Sequence, residues 1–153
     1  MKITVLSVGK IRDDRLRSLV EEYRGRLSHH LPLDEVEVKK VKKSDPRQVM
    51  AEEAEALLGA TPEGALRIAL TERGKTRTSE EVAEELESWM LAGRQHVVFY
   101  IGGAHGLDRA FLKACDRRWS LSPMTFPHDV ARMLLWEQLY RGMSILRGEP
   151  YHK

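Results

Sequence analysis

Five short apolar runs alternate along the chain with stretches of helical periodicity. The first run, residues 2–9 (KITVLSVG), carries Ile3, Val5, Leu6 and Val8. A helix is predicted over 13–27, with Leu16, Leu19, Val20, Tyr23 and Leu27 on one stripe. The second strand candidate, 33–41, alternates Leu33, Val36, Val38 and Val41 with charge. Ser44-Asp45-Pro46 then supplies a cap and a first-turn proline for a helix to about Leu58. Residues 66–70 (LRIAL) are the third strand, and Thr78-Ser79-Glu80-Glu81 reads as a capping box for a helix ending near Gly93. Residues 96–101 (HVVFYI) are the fourth and most apolar strand. Asp108 caps a short helix to about Arg117, 119–121 form a brief fifth strand, and Pro127 opens a long last helix to about Arg147.

This alternation predicts an α/β fold, a mostly parallel sheet flanked by helices on both faces. The 153 residues fit one domain, 1–153. In such sheets ligands bind outside the carboxyl ends of the strands, so the loops that begin at Gly9, Thr71, Gly102 and Ser122 are the ones to inspect.

Composition narrows the class. The hydrophobic fraction of 42% and charged fraction of 31% are those of a globular chain, not a disordered one. No apolar run reaches the roughly 18 residues of a membrane span, and the N-terminus reads as a strand rather than a signal peptide. The single cysteine, Cys115, excludes an internal disulfide and multi-cysteine metal sites, and points to a reducing, cytoplasmic setting. It reads as a buried small residue. The six histidines lack zinc-ligand spacing, so no metal is expected. Net charge is +2, but residues 1–50, 51–108 and 109–153 carry +4, −6 and +4. Two basic ends flank an acidic middle, which allows a basic face for an anionic partner or a merely solvated helix surface.

The candidate chemistry lies in the loops. Gly102-Gly103-Ala104-His105-Gly106 follows the most apolar strand, as a ligand loop or as a tight turn. It does not fit the dinucleotide fingerprint. Gly74-Lys75-Thr76 resembles the end of a phosphate loop, but Ala69 stands where the first glycine is required, and a turn is expected there. There is no G-x-S-x-G elbow. Residues 119–127 carry no charge and include Ser120, Ser122 and Thr125. Such a loop suits a flat group held by backbone donors and carbonyls, or a buried crossover. In the last helix the apolar positions cover more than one stripe, which suggests a partner helix and hence a dimer. Arg132 and Arg141, nine positions apart, share a face, either as paired guanidinium groups or as rim salt bridges. The final Tyr151-His152-Lys153 either frays or stacks on a base and contacts phosphate.

Two stretches together carry a family likeness: FYIGGAHGL at 99–107, and LSPMTFPH at 121–128 continued by Arg132, EQLYR at 137–141 and YHK at 151–153. With the opening MKITVLSVGK they resemble, over the whole chain, the RlmH family of ribosomal RNA large-subunit methyltransferases in the SPOUT superfamily. The resemblance implies a SPOUT-type α/β fold with a deep C-terminal trefoil knot, which general rules would not have suggested. It implies a homodimer that binds S-adenosyl-L-methionine and methylates N3 of a pseudouridine in 23S rRNA on assembled ribosomes. It assigns the cofactor to Leu70, Gly102, Gly103, Leu121, Ser122, Pro123, Met124, Thr125 and Phe126. It assigns substrate contacts to Arg132, Arg141, Tyr151 and His152. Catalysis falls on Arg141 for electrostatic stabilisation, with His128 or His152 as proton acceptor. His105 departs from the acidic residue common at that position in some relatives. Two further readings stay open: a SPOUT enzyme for another RNA such as tRNA, and a catalytically inactive ribosome-binding protein.

Overall fold

Helix starts follow side chains written into the sequence. In the computed structural model, which describes residues 1–153, Asp13 caps α1 (Asp14–Ser28) and Asp45 caps α2 (Pro46–Gly59), with Pro46 in its first turn. Thr78 and Glu81 form the expected reciprocal capping box at the head of α3 (Ser79–Leu91). Asp108 caps α4 (Arg109–Ala114), accepting from the Phe111 N–H at 2.6 Å. The last helix, α5 (His128–Leu146), begins after Pro127 without a side-chain cap.

The strands are β1 (Lys2–Val8), β2 (Leu33–Val38), β3 (Leu66–Thr76), β4 (His96–Ile101) and β5 (Arg117–Ser120). They form one parallel sheet in the order β2-β1-β4-β3-β5. The connections through α1 and α3 run toward the β2 edge, and those through α2 and α4 run the other way. A single crossover handedness then demands that the two pairs cover opposite faces. They do: Val20, Leu27, Val82, Leu86 and Trp89 pack in one core cluster, Ala54, Leu57 and Phe111 in the other. Helix α5 joins α1 and α3 on the first face, burying Leu135, Trp136, Leu139 and Met143.

Three boundaries differ from expectation, each for a local reason. Strand β2 stops at Val38, because the Val41 N–H leaves the ladder to donate to Glu53 Oε1 at 3.1 Å. Helix α4 ends at Ala114, not Arg117, because Asp116 Oδ2 accepts the Arg67 N–H at 2.7 Å and draws the chain to the edge of β3. The Gly74-Lys75-Thr76 segment is strand, not turn: after a register shift, Lys75 and Thr76 pair with Trp119 and Ser120. Gly74 is needed there, since a Cβ would lie 2.5 Å from the Trp119 carbonyl carbon.

A buried ion-pair network ties α5 to the sheet. Arg132, 3% exposed, pairs with Glu35 and, at 2.5 Å, with Glu37 on β2. Its Nη1 also reaches the Gly9 carbonyl at 3.4 Å. Glu35 further accepts from Trp136 Nε1 at 3.3 Å and pairs with Arg24 of α1 at 2.8 Å. Removing one member of a buried pair strands the other in low dielectric. Arg132→Ala is therefore expected to destabilise the fold by about 3–5 kcal/mol, read from the urea midpoint. Burial also raises the Cys115 thiol to about 11. At pH 8 its thiolate fraction falls about a hundred-fold below that of a free cysteine, and alkylation by iodoacetamide should slow in proportion.

Candidate active site

Three of the four segments singled out by the sheet argument, at Thr71, Gly102 and Ser122, converge on one site, while the loop at Gly9 opens on another. A cavity of about 390 Å³ opens at β3, β4 and β5. Its walls come from the middle of β3 at the register shift (Leu70, Thr71, Glu72), from the glycine loop (residues 102–106) and from the loop after β5. His128 and Ala131 of α5 close one side. Leu70, Gly102, Gly103, Leu121, Ser122, Met124, Thr125 and Phe126 all line it; Pro123 is exposed and does not.

Local geometry explains the shape. The glycine loop folds back on itself through an isolated bridge between Gly103 and Gly106, with the Gly106 N–H donating to the Gly103 carbonyl at 3.0 Å. A Cβ on Gly102 would stand 2.6 Å from the Gly106 carbonyl carbon, so only glycine permits this fold-back. The second loop is braced from within: Ser120 Oγ donates to the Ser122 carbonyl at 2.8 Å, and Ser122 Oγ accepts the Met124 N–H at 3.0 Å. Residues 122–126 otherwise make no backbone–backbone hydrogen bonds. Apart from the Ser122 carbonyl and the Met124 N–H, their amides and carbonyls are left for a ligand or for water. Met124 is 71% exposed at the rim.

One contributor was not visible in the sequence. Glu53 of α2 is 3% exposed. Its Oε2 has no hydrogen-bond partner and lies 2.9 Å from where a Gly103 Cβ would be. A buried carboxylate thus backs the glycine loop. The only sequence signal was its place on the buried face of α2, in step with Val49 and Leu57.

The residues expected to act on substrate gather elsewhere. Arg141 is held by Glu137, with Nε 2.9 Å from Oε1, and its guanidinium stacks 4.6 Å from the Tyr151 ring centroid. Tyr151 Oη donates to the same Glu137 oxygen at 3.0 Å. The contact with Glu137 pushes the Arg141 pKa up, and burial, followed by the hydrogen bonds with Tyr23 and Glu137, raises the Tyr151 phenol. One therefore stays a cation and the other a neutral donor. Arg141 can only donate, so His152 Nδ1, at 3.2 Å, accepts. The proton of the neutral ring then sits on Nε2, which faces Glu80 Oε1 at 3.0 Å. Tyr151 and His152 are docked, not frayed, and only Lys153 is left exposed.

Arg132 needs correction. Its guanidinium is buried and occupied by Glu35, Glu37 and Gly9, so it is not free for substrate and shares no open face with Arg141. His128 is at the cavity, with Nε2 3.3 Å from Asp129 Oδ1. Arg141 lies thirteen residues further along α5, or about 20 Å at the helical rise. One chain therefore does not bring His128 and the Arg141–Tyr151–His152 cluster together. No group of three His, Cys, Asp or Glu side chains is placed to hold a metal ion, and no helix is long and apolar enough to cross a membrane.

The fold-back at Gly102 is testable. Gly102→Ala places its Cβ against backbone that cannot rotate away. The expected result is a lowered Tm together with lost affinity for any ligand of the cavity, read by calorimetry. An unchanged melt would show that the loop tolerates a side chain.

Comparison with known proteins bears on this geometry. The family model described as "Predicted SPOUT methyltransferase" matches residues 1–152. The ribosomal RNA large subunit methyltransferase H of Acetivibrio thermocellus is 42% identical, covering 100% of both chains. Its namesake in Sorangium cellulosum is 43% identical over 99% of each, and that of Alkaliphilus oremlandii 38% identical over 100% of each. The solved SpoU methyltransferase AviRb of Streptomyces viridochromogenes, in complex with AdoMet, is a distant likeness. It has TM-score 0.48 and 16% identity over 92% of this chain and 57% of that one, too remote to bear on the site. With a family model spanning nearly every residue and relatives near 40% identity from end to end, the chain belongs to the SPOUT methyltransferases, in the family of ribosomal RNA large subunit methyltransferase H.

Proposed function

We propose that this chain methylates N3 of a pseudouridine in large-subunit rRNA, on assembled ribosomes in the cytoplasm, with S-adenosyl-L-methionine as methyl donor. The observation that carries the reading is the cavity at β3 and the ends of β4 and β5, bordered by backbone groups with no partner of their own, in a chain of this family. Residues 122–126 fit an adenine edge and ribose through amides and carbonyls, Leu70 and Phe126 offer apolar contact, and the glycine loop lets backbone approach closely. Pro123 shapes the loop from outside. The bound cofactor supplies an electrophilic methyl group on a sulfonium.

The chain's own work is alignment and proton control. N3 of pseudouridine lies between two carbonyls and carries a proton at neutral pH. As that proton leaves, negative charge spreads onto the flanking oxygens. A guanidinium that stays charged, Arg141, stabilises this charge. Tyr151 presents a ring on which a base can stack. His152 and His128 are the two candidate proton acceptors.

The distance along α5 asks for a second copy. The half-buried Val130, Leu134, Gln138, Arg141 and Ile145 recur at helical spacing and form a face that a partner helix would cover. In such a homodimer one subunit's Arg141–Tyr151–His152 cluster completes the other's cavity. The knot that accompanies the family is part of the same reading. It is supported by the return of α5 from the β5 edge to lie against α1 and α3.

The test is transfer of labelled methyl to ribosomes that lack the modification, with free large subunits, free rRNA and tRNA in parallel. Label at a pseudouridine N3 of assembled ribosomes is expected; label on tRNA instead would overturn the substrate. Arg141→Ala should lower transfer at least about a hundred-fold while leaving cofactor affinity unchanged. Mixed dimers of Arg141→Ala with Gly103→Val should regain about a quarter of wild-type activity, because half the dimers would carry one intact composite site. No recovery would place the whole site within one chain.

A further inference from the structure

A second and larger cavity, about 810 Å³, opens beside the first. It lies beyond the carboxyl ends of β1 and β2, against the glycine loop after β4. Adjacent strands β1 and β4 send their following helices to opposite faces and in opposite directions, so this is the topological switch point of the sheet, where open α/β sheets bind ligands. The two cavities share Gly103, Ala104 and His128 as a common wall.

The lining of this second groove is unusual in charge. Six cations face it: Lys10, Arg12, Arg17, Lys39, Lys40 and Lys42. Arg17 is engaged, 3.0 Å from Asp14 and 2.6 Å from the Ile11 carbonyl. The other five form no salt bridge, and all five are exposed. Of the groove's two carboxylates, Glu37 is taken by Arg132, and Asp129 is turned inward, its Oδ1 buried without a hydrogen-bond partner 3.3 Å from His128 Nε2. Elsewhere the arginines of α1 and α5, and Arg77 just ahead of α3, are paired with neighbouring acids. Unpaired like charges crowded at one sheet end repel one another, and a polyanion relieves that repulsion.

We infer that this groove is the track for the RNA backbone: Lys10, Arg12, Lys39, Lys40 and Lys42 hold successive phosphates and lead the strand past His128 to the mouth of the first cavity. The inference rests on the methyltransferase reading for the identity of the polyanion. It moves the RNA interface from the basic C-terminal segment to the ends of β1 and β2. Four of its five unpaired cations are lysines, point charges rather than fixed forks, so it positions RNA without reading sequence. Choice of the target nucleotide is left to the cavity and to the Arg141–Tyr151–His152 cluster.

The test uses the triple charge reversal Lys39→Glu, Lys40→Glu and Lys42→Glu. All three sites are exposed, and a melt checks that the fold is kept. Three readouts are needed: affinity for intact ribosomes by sedimentation between 50 and about 200 mM salt, steady-state methyl transfer, and cofactor affinity by calorimetry. The expected result is a salt slope shallower by about 2–3, since each phosphate contact contributes about 0.7–0.9. KM for ribosomes should rise about ten-fold or more, with kcat and cofactor affinity unchanged. An unchanged slope and KM would overturn the inference while the enzymatic reading stands. Weakened binding to ribosomes with unchanged binding to protein-free rRNA would show that the groove meets an acidic protein surface, and would overturn it too. If the wild type methylated no RNA, the enzymatic reading would fail, and the binding slopes would still decide whether the groove holds RNA.

Discussion

The guanidinium of Arg132 is the point on which the site's architecture depends. It sits under β2, bound to two carboxylates of that strand and to the carbonyl that ends β1, while Trp136 and Arg24 satisfy what remains of Glu35. Burying such a group is costly, and only complete pairing makes it tolerable. The arrangement leaves α5 one acceptable register: a shift by a single residue would strand Arg132 or Glu35 in apolar surroundings. Because His128 lies one turn upstream, that register also sets where the wall between the two cavities stands. Apolar packing of Leu135, Leu139 and Met143 supplies adhesion, but adhesion alone would allow sliding.

What could be read from residues alone was whatever is local. Asp45, Thr78, Glu81 and Asp108 announced helix starts because a cap acts within three residues of itself. Strand–helix alternation announced the layers, and the rule for open sheets announced which loops meet. The far half of β3 was hidden because Thr71 to Thr76 has no apolar alternation; its partner is the backbone of β5, more than forty residues away. Arg132 was misread for the same reason, since its acids lie 97 and 95 residues upstream. Glu53 was silent because an acid on a helix reads as surface unless its burial is seen. The docking of Tyr151 depends on Tyr23, at the other end of the chain.

Charge is sorted by element, and the sorting has a physical logic. The acidic middle of the chain resides largely in the glutamates of α2 and α3. Several of these cap helix starts or neutralise arginines, as Glu81 does at Thr78 and Glu85 at Arg77. Five unpaired cations are gathered at one rim of the sheet, beyond β1 and β2. A nearly neutral protein can therefore still present a steep local potential, one that salt would screen within about 10 Å.

The common wall of Gly103, Ala104 and His128 has a consequence of its own. Two ligands that press on opposite sides of the same few backbone atoms cannot bind independently. Whatever factor the occupant of one cavity applies to the affinity of the other must be returned in equal measure, because the free energy of the doubly filled state does not depend on the order of filling. If the wall is stiffened by the first arrival, the second loses less entropy on entering, and the pair binds cooperatively without any change of fold. The glycine loop would then act as a thermodynamic gate between donor and acceptor. It would favour the state in which both are present and disfavour release of either one alone.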